Sequence, residues 1–159
     1  MPVPPDAADQ PTPPAVPPNA DFPRPHKKFA RHFTDPLYAD EGEEFAPFGT
    51  DEGSDTLWVW TARRAELTAC TTVRWMIDQE DEAGALDHPE NNGPDVDGFL
   101  IGAGFTLLLF TGHIDSEGKR LVLDALQRTY SFYADWRPRE LAVMIRDLER
   151  FPATDCTKP

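Results

Sequence analysis

From Phe99 to Ile114 the chain runs for sixteen residues, FLIGAGFTLLLFTGHI, without a lysine, arginine, aspartate or glutamate. A fold must bury such a run, and the remaining segments must supply the surfaces that cover it. The run is short for a bilayer span and contains Gly102, Gly104, Gly112 and His113, so it reads as a core element, and no membrane insertion is expected. Periodicity cannot assign a continuous apolar run. Its length and the Asp95 and Asp97 ahead of it favour a helix, with Gly102 and Gly104 allowing close packing; a short strand within 99–110 is the alternative.

The flanking segments carry the covering faces. Residues 116–132 place Leu121/Val122, Ala125/Leu126 and Thr129/Tyr130 at helical spacing. Pro138 suits the first turn of a last helix whose stripe is Leu141, Met144/Ile145 and Leu148 and which ends before Pro152. Thr50 or Ser54 can cap a helix running to about Leu67, with Asp51, Glu52 and Asp55 at its positive end. Within it Trp58 and Trp60 lie about 200° apart and cannot share one narrow face, so either one is partly exposed as an anchor or both are core or packing residues. A shorter helix is expected over 71–80 and an acid-, Gly- and Pro-rich loop over 81–98.

At 159 residues there is room for one domain. Ten prolines fall within residues 1–25, which removes backbone donors and disfavours helix, so this stretch is expected to be a disordered or extended arm. The expected fold class is mainly α: a single compact helical domain of about five helices over 26–152, preceded by that Pro-rich arm and followed by a flexible tail over 153–159. A short strand near Tyr38 is compatible with this layout.

Charge is unevenly spread. Residues 35–97 hold seventeen acids against Arg63, Arg64 and Arg74, whereas the segments on either side are close to neutral, for a net charge of −13. A field confined to one region suits a face that meets a basic partner. The candidate partner-binding residues are Asp40, Glu41, Glu43, Glu44, Asp51, Glu52 and Asp55, with Tyr38, Phe45, Phe48 and Trp58 as aromatic anchors. The bland readings are that these aromatics pin an acidic loop to the core and that the acidity serves solubility. The basic stretch 24–33, RPHKKFARHF, is too small and too close to the acids for a nucleic-acid surface, and is read as local neutralisation across a turn.

No catalytic signature is present: there is no GxSxG, P-loop, GxGxxG or HExxH. His88/Glu90, Asp95/Asp97 and His113/Asp115 have the residue types of metal ligands. Helix capping explains Asp95, Asp97 and Asp115, and His113 falls at a helix C-terminus where a partly charged imidazole is favoured. An EF-hand register over Asp95, Asp97 and Gly98 puts Gly104 where a glutamate is required. No metal and no cofactor is expected. Cys70 and Cys156 share no short spacing and read as one buried and one tail thiol in a reducing compartment. With no signal-like N-terminus, the expected location is cytoplasmic.

One stretch resembles a family. Thr34-Asp35-Pro36-Leu37-Tyr38 followed by Phe45-Ala46-Pro47-Phe48-Gly49-Thr50-Asp51-Glu52-Gly53-Ser54-Asp55 is similar to the opening of YfeS-like small bacterial proteins, with Leu37 in place of the first of two aromatics and Thr50 in place of an asparagine. The resemblance covers about residues 26–60. It implies a bacterial protein and no particular activity, and it directs attention to Asp51, Gly53 and Asp55, which a tight turn at Gly49 leading into a carboxylate-rich helix start would explain. The expected function is a non-enzymatic module of the immunity-protein, inhibitor or adaptor type engaging a basic protein. The alternatives are a subunit or cargo docked into a larger assembly through the Pro-rich arm, and an enzyme using a carboxylate or metal cluster.

Overall fold

His26, Thr50 and Asp115 each start a helix through a side-chain capping hydrogen bond. The computed structural model describes residues 22–80 and 93–157. The Pro-rich arm up to Asp21 and residues 81–92 of the loop expected over 81–98, with His88 and Glu90, lie outside the described residues; Pro94–Gly98, expected in that loop, instead begin a helix. Among the described residues there are six α-helices: α1 (Lys27–His32), α2 (Asp51–Ala62), α3 (Val73–Glu80), α4 (Pro94–Thr111), α5 (Ser116–Phe132) and α6 (Arg139–Arg150). There is no strand among the described residues. The fold is mainly α.

The apolar run is the helix α4, and it sits at the centre. It starts on Pro94, whose missing N–H costs nothing there, and ends on Gly112 in the left-handed conformation (φ 70°). Helices α1, α2, α3 and α5 all pack on it, and α6 packs on α5. Every residue from Leu100 to Gly112 is buried. An 18-residue helix of this apolarity has the length and composition of a membrane-crossing segment, but here its window is mostly buried inside the protein.

Small residues set the spacing. A Cβ on Gly102 would stand 2.7 Å from the Cα of Gly53, so α4 and α2 cross backbone to backbone at this pair. Gly53 also lies against the Pro47 carbonyl oxygen, and Gly49 against the carbonyl of Glu43. The Pro-Phe-Gly-Thr-Asp-Glu-Gly sequence is thus a folded corner that brings Phe48 into the core and delivers Thr50 as the cap of α2, its Oγ1 accepting from the Gly53 N–H at 2.9 Å.

A second corner is organised by Asp115. Its Oδ2 accepts from the Gly118 N–H at 2.8 Å, capping α5, while its Oδ1 accepts from the Val73 N–H at 2.9 Å at the start of α3. One buried carboxylate therefore fixes two helix N-termini, the arrangement in which a charge is most favoured.

Several expectations need correction. The basic stretch expected as a turn forms α1, capped by His26 Nδ1, which accepts from the Lys28 N–H at 3.0 Å. Tyr38 lies in a 3-10 turn over Pro36–Ala39 rather than in a strand. Helix α2 stops at Ala62 and a 3-10 turn over Arg64–Glu66 follows, short of the expected end at Leu67. Pro138 is the N-cap of α6 rather than a first-turn residue. Order begins before His26, because Phe22 packs on the core with its ring centroid 5.9 Å from that of Phe48.

The cysteines are not free thiols: Cys70 and Cys156 form a disulfide, with Cα atoms 5.4 Å apart and 86 residues between them in sequence. The segment expected as a flexible tail is tied down beside it. The Thr154 N–H donates to the Ile114 carbonyl at 2.9 Å, and Asp155 accepts from the Ser116 N–H at 2.8 Å.

Candidate functional site: an acidic and aromatic cleft

The start of α2 lies against the first three turns of α4: Gly53 meets Gly102, Glu52 meets Gly98, and Glu52 and Asp95 line one cleft. Each first turn carries two acids, Asp51 and Glu52 on α2 and Asp95 and Asp97 on α4. The helix dipoles favour carboxylates at these positions. Asp97 is buried and neutralised by Arg128, whose Nη2 lies 2.8 Å from Oδ1. Among the described residues Glu44, Asp51, Glu52, Asp55 and Asp95 have no cationic partner.

Five further acids are answered by arginines. Asp35 pairs with Arg139, Asp147 with Arg146, Glu66 with Arg63, Glu117 with Arg74 and Asp124 with Arg120. Two of these arginines come from α6 and compensate acids of the middle and last thirds. Asp40, Glu41, Glu43, Asp78, Glu80, Asp135, Glu140, Glu149 and Asp155 also form no ion pair among the described residues; the start of α2 differs in that five unpaired carboxylates gather there.

Beside this charge is a cleft of about 210 Å³, lined by Glu44, Glu52 and Asp95 together with Phe45, Tyr133 and Trp136. The rings form a continuous series: Phe45 meets Tyr133 edge to face at 5.1 Å, and Tyr133 meets Phe132 at 4.8 Å. Phe132 and Trp136 are the most exposed large apolar side chains among the described residues, at 67% and 71%. Trp136 belongs to a 3-10 turn, Ala134–Trp136, closed by Arg137 at φ 45°. Left-handed backbone at a non-glycine residue is uncommon and costs energy.

The Glu52 carboxyl titrates above its ordinary range. Burial is the main cause, and the neighbouring charges of Asp95, Asp51 and Asp55 add to it against the favourable effect of the helix start. A Cβ on Gly98 would stand 2.8 Å from Glu52 Oε1, so the glycine leaves room for this carboxylate against α4.

The sequence-predicted residues divide into three groups. Glu44, Glu52 and Phe45 line the cleft, and Asp51 and Asp55 stand exposed on α2 next to it. Trp58, 39% exposed, continues the Asp51–Asp55 stripe one turn further along α2. Asp40 and Glu43 lie on the loop before α2 and accept from the N–H groups of Gly42 and Phe45; Glu41 is half-buried on the same loop.

Tyr38 and Phe48 are corrected as anchors: at 2% and 0% exposure they are core residues, and the pinning reading holds for them. The Tyr38 hydroxyl donates to Asp147 Oδ2 at 2.7 Å, a contact that together with burial holds its proton firmly. Tyr133 and Trp136 were missed. They follow the regular α5 pattern and precede Pro138, where the sequence shows aromatics but not which way they face; the capping expected of Asp95 and Asp97 is corrected, since Gly93 is the N-cap of α4 and no side chain caps it.

The candidate metal ligands are placed apart. Asp97 is held by Arg128, Asp115 caps α3 and α5, and no group of three ligand-type side chains gathers among the described residues. The expected charged imidazole at His113 is also corrected: burial, then Lys28 and His26 nearby, push its pKa down. No protein family, curated protein or solved structure matches the chain.

Proposed function

We propose that this chain is a non-enzymatic binding module that docks a basic partner protein through the face where α2 and α4 begin, in the manner of an immunity protein, inhibitor or adaptor. The observation that carries the reading is the gathering of Glu44, Asp51, Glu52, Asp55 and Asp95, none with a cationic partner among the described residues, beside a cleft lined by Phe45, Tyr133 and Trp136. Such a face steers encounter with a positive surface, and exposed aromatics beside it supply the apolar contact that holds it. The exposed Cys70–Cys156 bond supports a working environment that is oxidising, in place of the cytoplasm expected from composition.

Association of a decalysine peptide, followed by stopped-flow at about 20 mM and about 300 mM salt, tests the reading, because screening shortens the reach of surface charge over this range. The on-rate is expected to fall steeply with salt and to be lower in the Asp51→Asn/Asp55→Asn variant. An on-rate indifferent to salt and to both substitutions would overturn it.

A further inference from the structure

Within the acidic face, the cleft between Phe45, Tyr133 and Trp136 has a composition of its own. We propose that it receives the guanidinium of an arginine side chain from the partner protein, with Tyr133 and Trp136 as stacking surfaces and Glu52 and Asp95 as the carboxylates that complete its hydrogen bonds. This rests on the preceding reading of the face as a protein-docking surface.

Three observations support this occupant. First, the recess combines aromatic and anionic walls. An aromatic wall alone suits any apolar group, and carboxylates alone suit any hydrated cation. Together they suit a cation that is planar, weakly hydrated and able to stack, which is arginine rather than lysine. Second, the recess opens beside Phe132 and Trp136, both largely exposed. A free metabolite would leave these rings in water, whereas a protein surface covers them. The left-handed Arg137 that follows Trp136 belongs to the kind of backbone strain that clusters at ligand clamps. Third, no lysine or arginine lines the recess among the described residues. Residues 1–21 and 81–92 contain neither lysine nor arginine, and Arg128 is committed to Asp97.

Glu52 adds a consistent detail. It is half-buried, makes no hydrogen bond to another side chain among the described residues, and its pKa is raised by burial and then by its acidic neighbours. A guanidinium would relieve both burial and repulsion.

The test uses the full-length oxidised protein and NMR of its tryptophan indole N–H groups, with the Trp136 resonance assigned from Trp136→Phe. The probes are a blocked hexapeptide containing two arginines, its lysine counterpart, its citrulline counterpart, and spermidine. The arginine peptide is expected to shift the Trp136 indole saturably and more tightly than the lysine peptide, with citrulline inert. Glu52→Gln, which removes an unfavourable buried charge and so keeps the fold, should weaken the arginine peptide about tenfold, as loss of one charge-assisted hydrogen bond implies. Tyr133→Ala should weaken it as well.

Equal binding of citrulline and arginine peptides, or spermidine binding as tightly as the arginine peptide, overturns the proposal. Cationic peptides that bind in a salt-dependent way without moving Trp136 or responding to Glu52→Gln overturn the recess and leave the acidic face standing. No binding by any of them overturns both.

Discussion

At Glu52 burial, and then the acidic neighbours, raise the carboxyl pKa. Its carboxyl is half-buried among Asp51, Asp55 and Asp95, so the folded chain holds the proton at pH values where the unfolded chain has released it. A raised carboxyl pKa penalises the fold fully above the folded value, and the penalty disappears as pH falls below the ordinary value of 4.5. Glu52→Gln is therefore expected to raise the melting temperature at pH 7, with the gain vanishing by about pH 4; thermal unfolding across that range measures it. A substitution that stabilises the fold while weakening the arginine peptide is the pattern of a residue kept for binding rather than for stability.

Asp35 titrates with the opposite sign. Burial alone would raise its pKa, but the Leu37 N–H and Arg139 outweigh burial and lower it. Its contribution is present above the ordinary 3.8 and is lost as pH falls through the lowered value. Two buried hydroxyls also differ. Tyr38 donates to Asp147, and Tyr38→Phe should cost about 1–2 kcal/mol in chemical denaturation. Thr106 Oγ1 is buried without a partner among the described residues, and Thr106→Val should gain about 1 kcal/mol.

Between elements, the crossing of α2 and α4 decides both the core and the site. Gly102→Ala would gain about 1 kcal/mol of helix propensity. It would also place a methyl 2.7 Å from the Gly53 backbone, which cannot move without opening the corner at Pro47. Overpacking of this kind costs about 1–3 kcal/mol, so a net loss of stability is expected, together with weaker peptide binding as the two acidic helix starts are pushed apart. Urea unfolding and the Trp136 indole shift report the two effects separately. The close packing allowed by Gly102 was legible in the run Phe99–Ile114, and α5 was legible in its full extent, because a long amphipathic pattern leaves little freedom. Helix α1 was not: six residues are too few to show a period, and α1 is held by tertiary contacts, with Phe29 stacked on Phe33 at 4.8 Å and packed edge to face on Tyr38.

On the scale of the whole molecule, the Cys70–Cys156 bond joins the loop ahead of α3 to the end of the chain. Closing so long a loop restricts the unfolded chain, and reduction is expected to cost about 2–4 kcal/mol. Unfolding with and without dithiothreitol checks this, as does a thiol titration that finds no free cysteine before reduction. Both cysteines are exposed, so a reductant can reach the bond without global unfolding. The bond lies by the starts of α3 and α5, while the cleft lies by the starts of α2 and α4, so reduction should lower stability more than it lowers binding of the arginine peptide.

Sequence alone determined the helical class, the placement of the apolar run in the core, the capping of α2 and α5, and the sign of the field over the middle third. These are local quantities, fixed by the order of residues along one segment. The tertiary structure decided which charges survive. Asp35, Asp97 and Asp147 are answered by arginines, two of them far away in sequence, and Glu44, Glu52 and Asp95 are not. It also decided that Cys70 meets Cys156 and that Tyr133 and Trp136 stand beside Glu52. Pairing, bonding and adjacency are set by distances through space, and a chain read in order does not contain them until the helices cross.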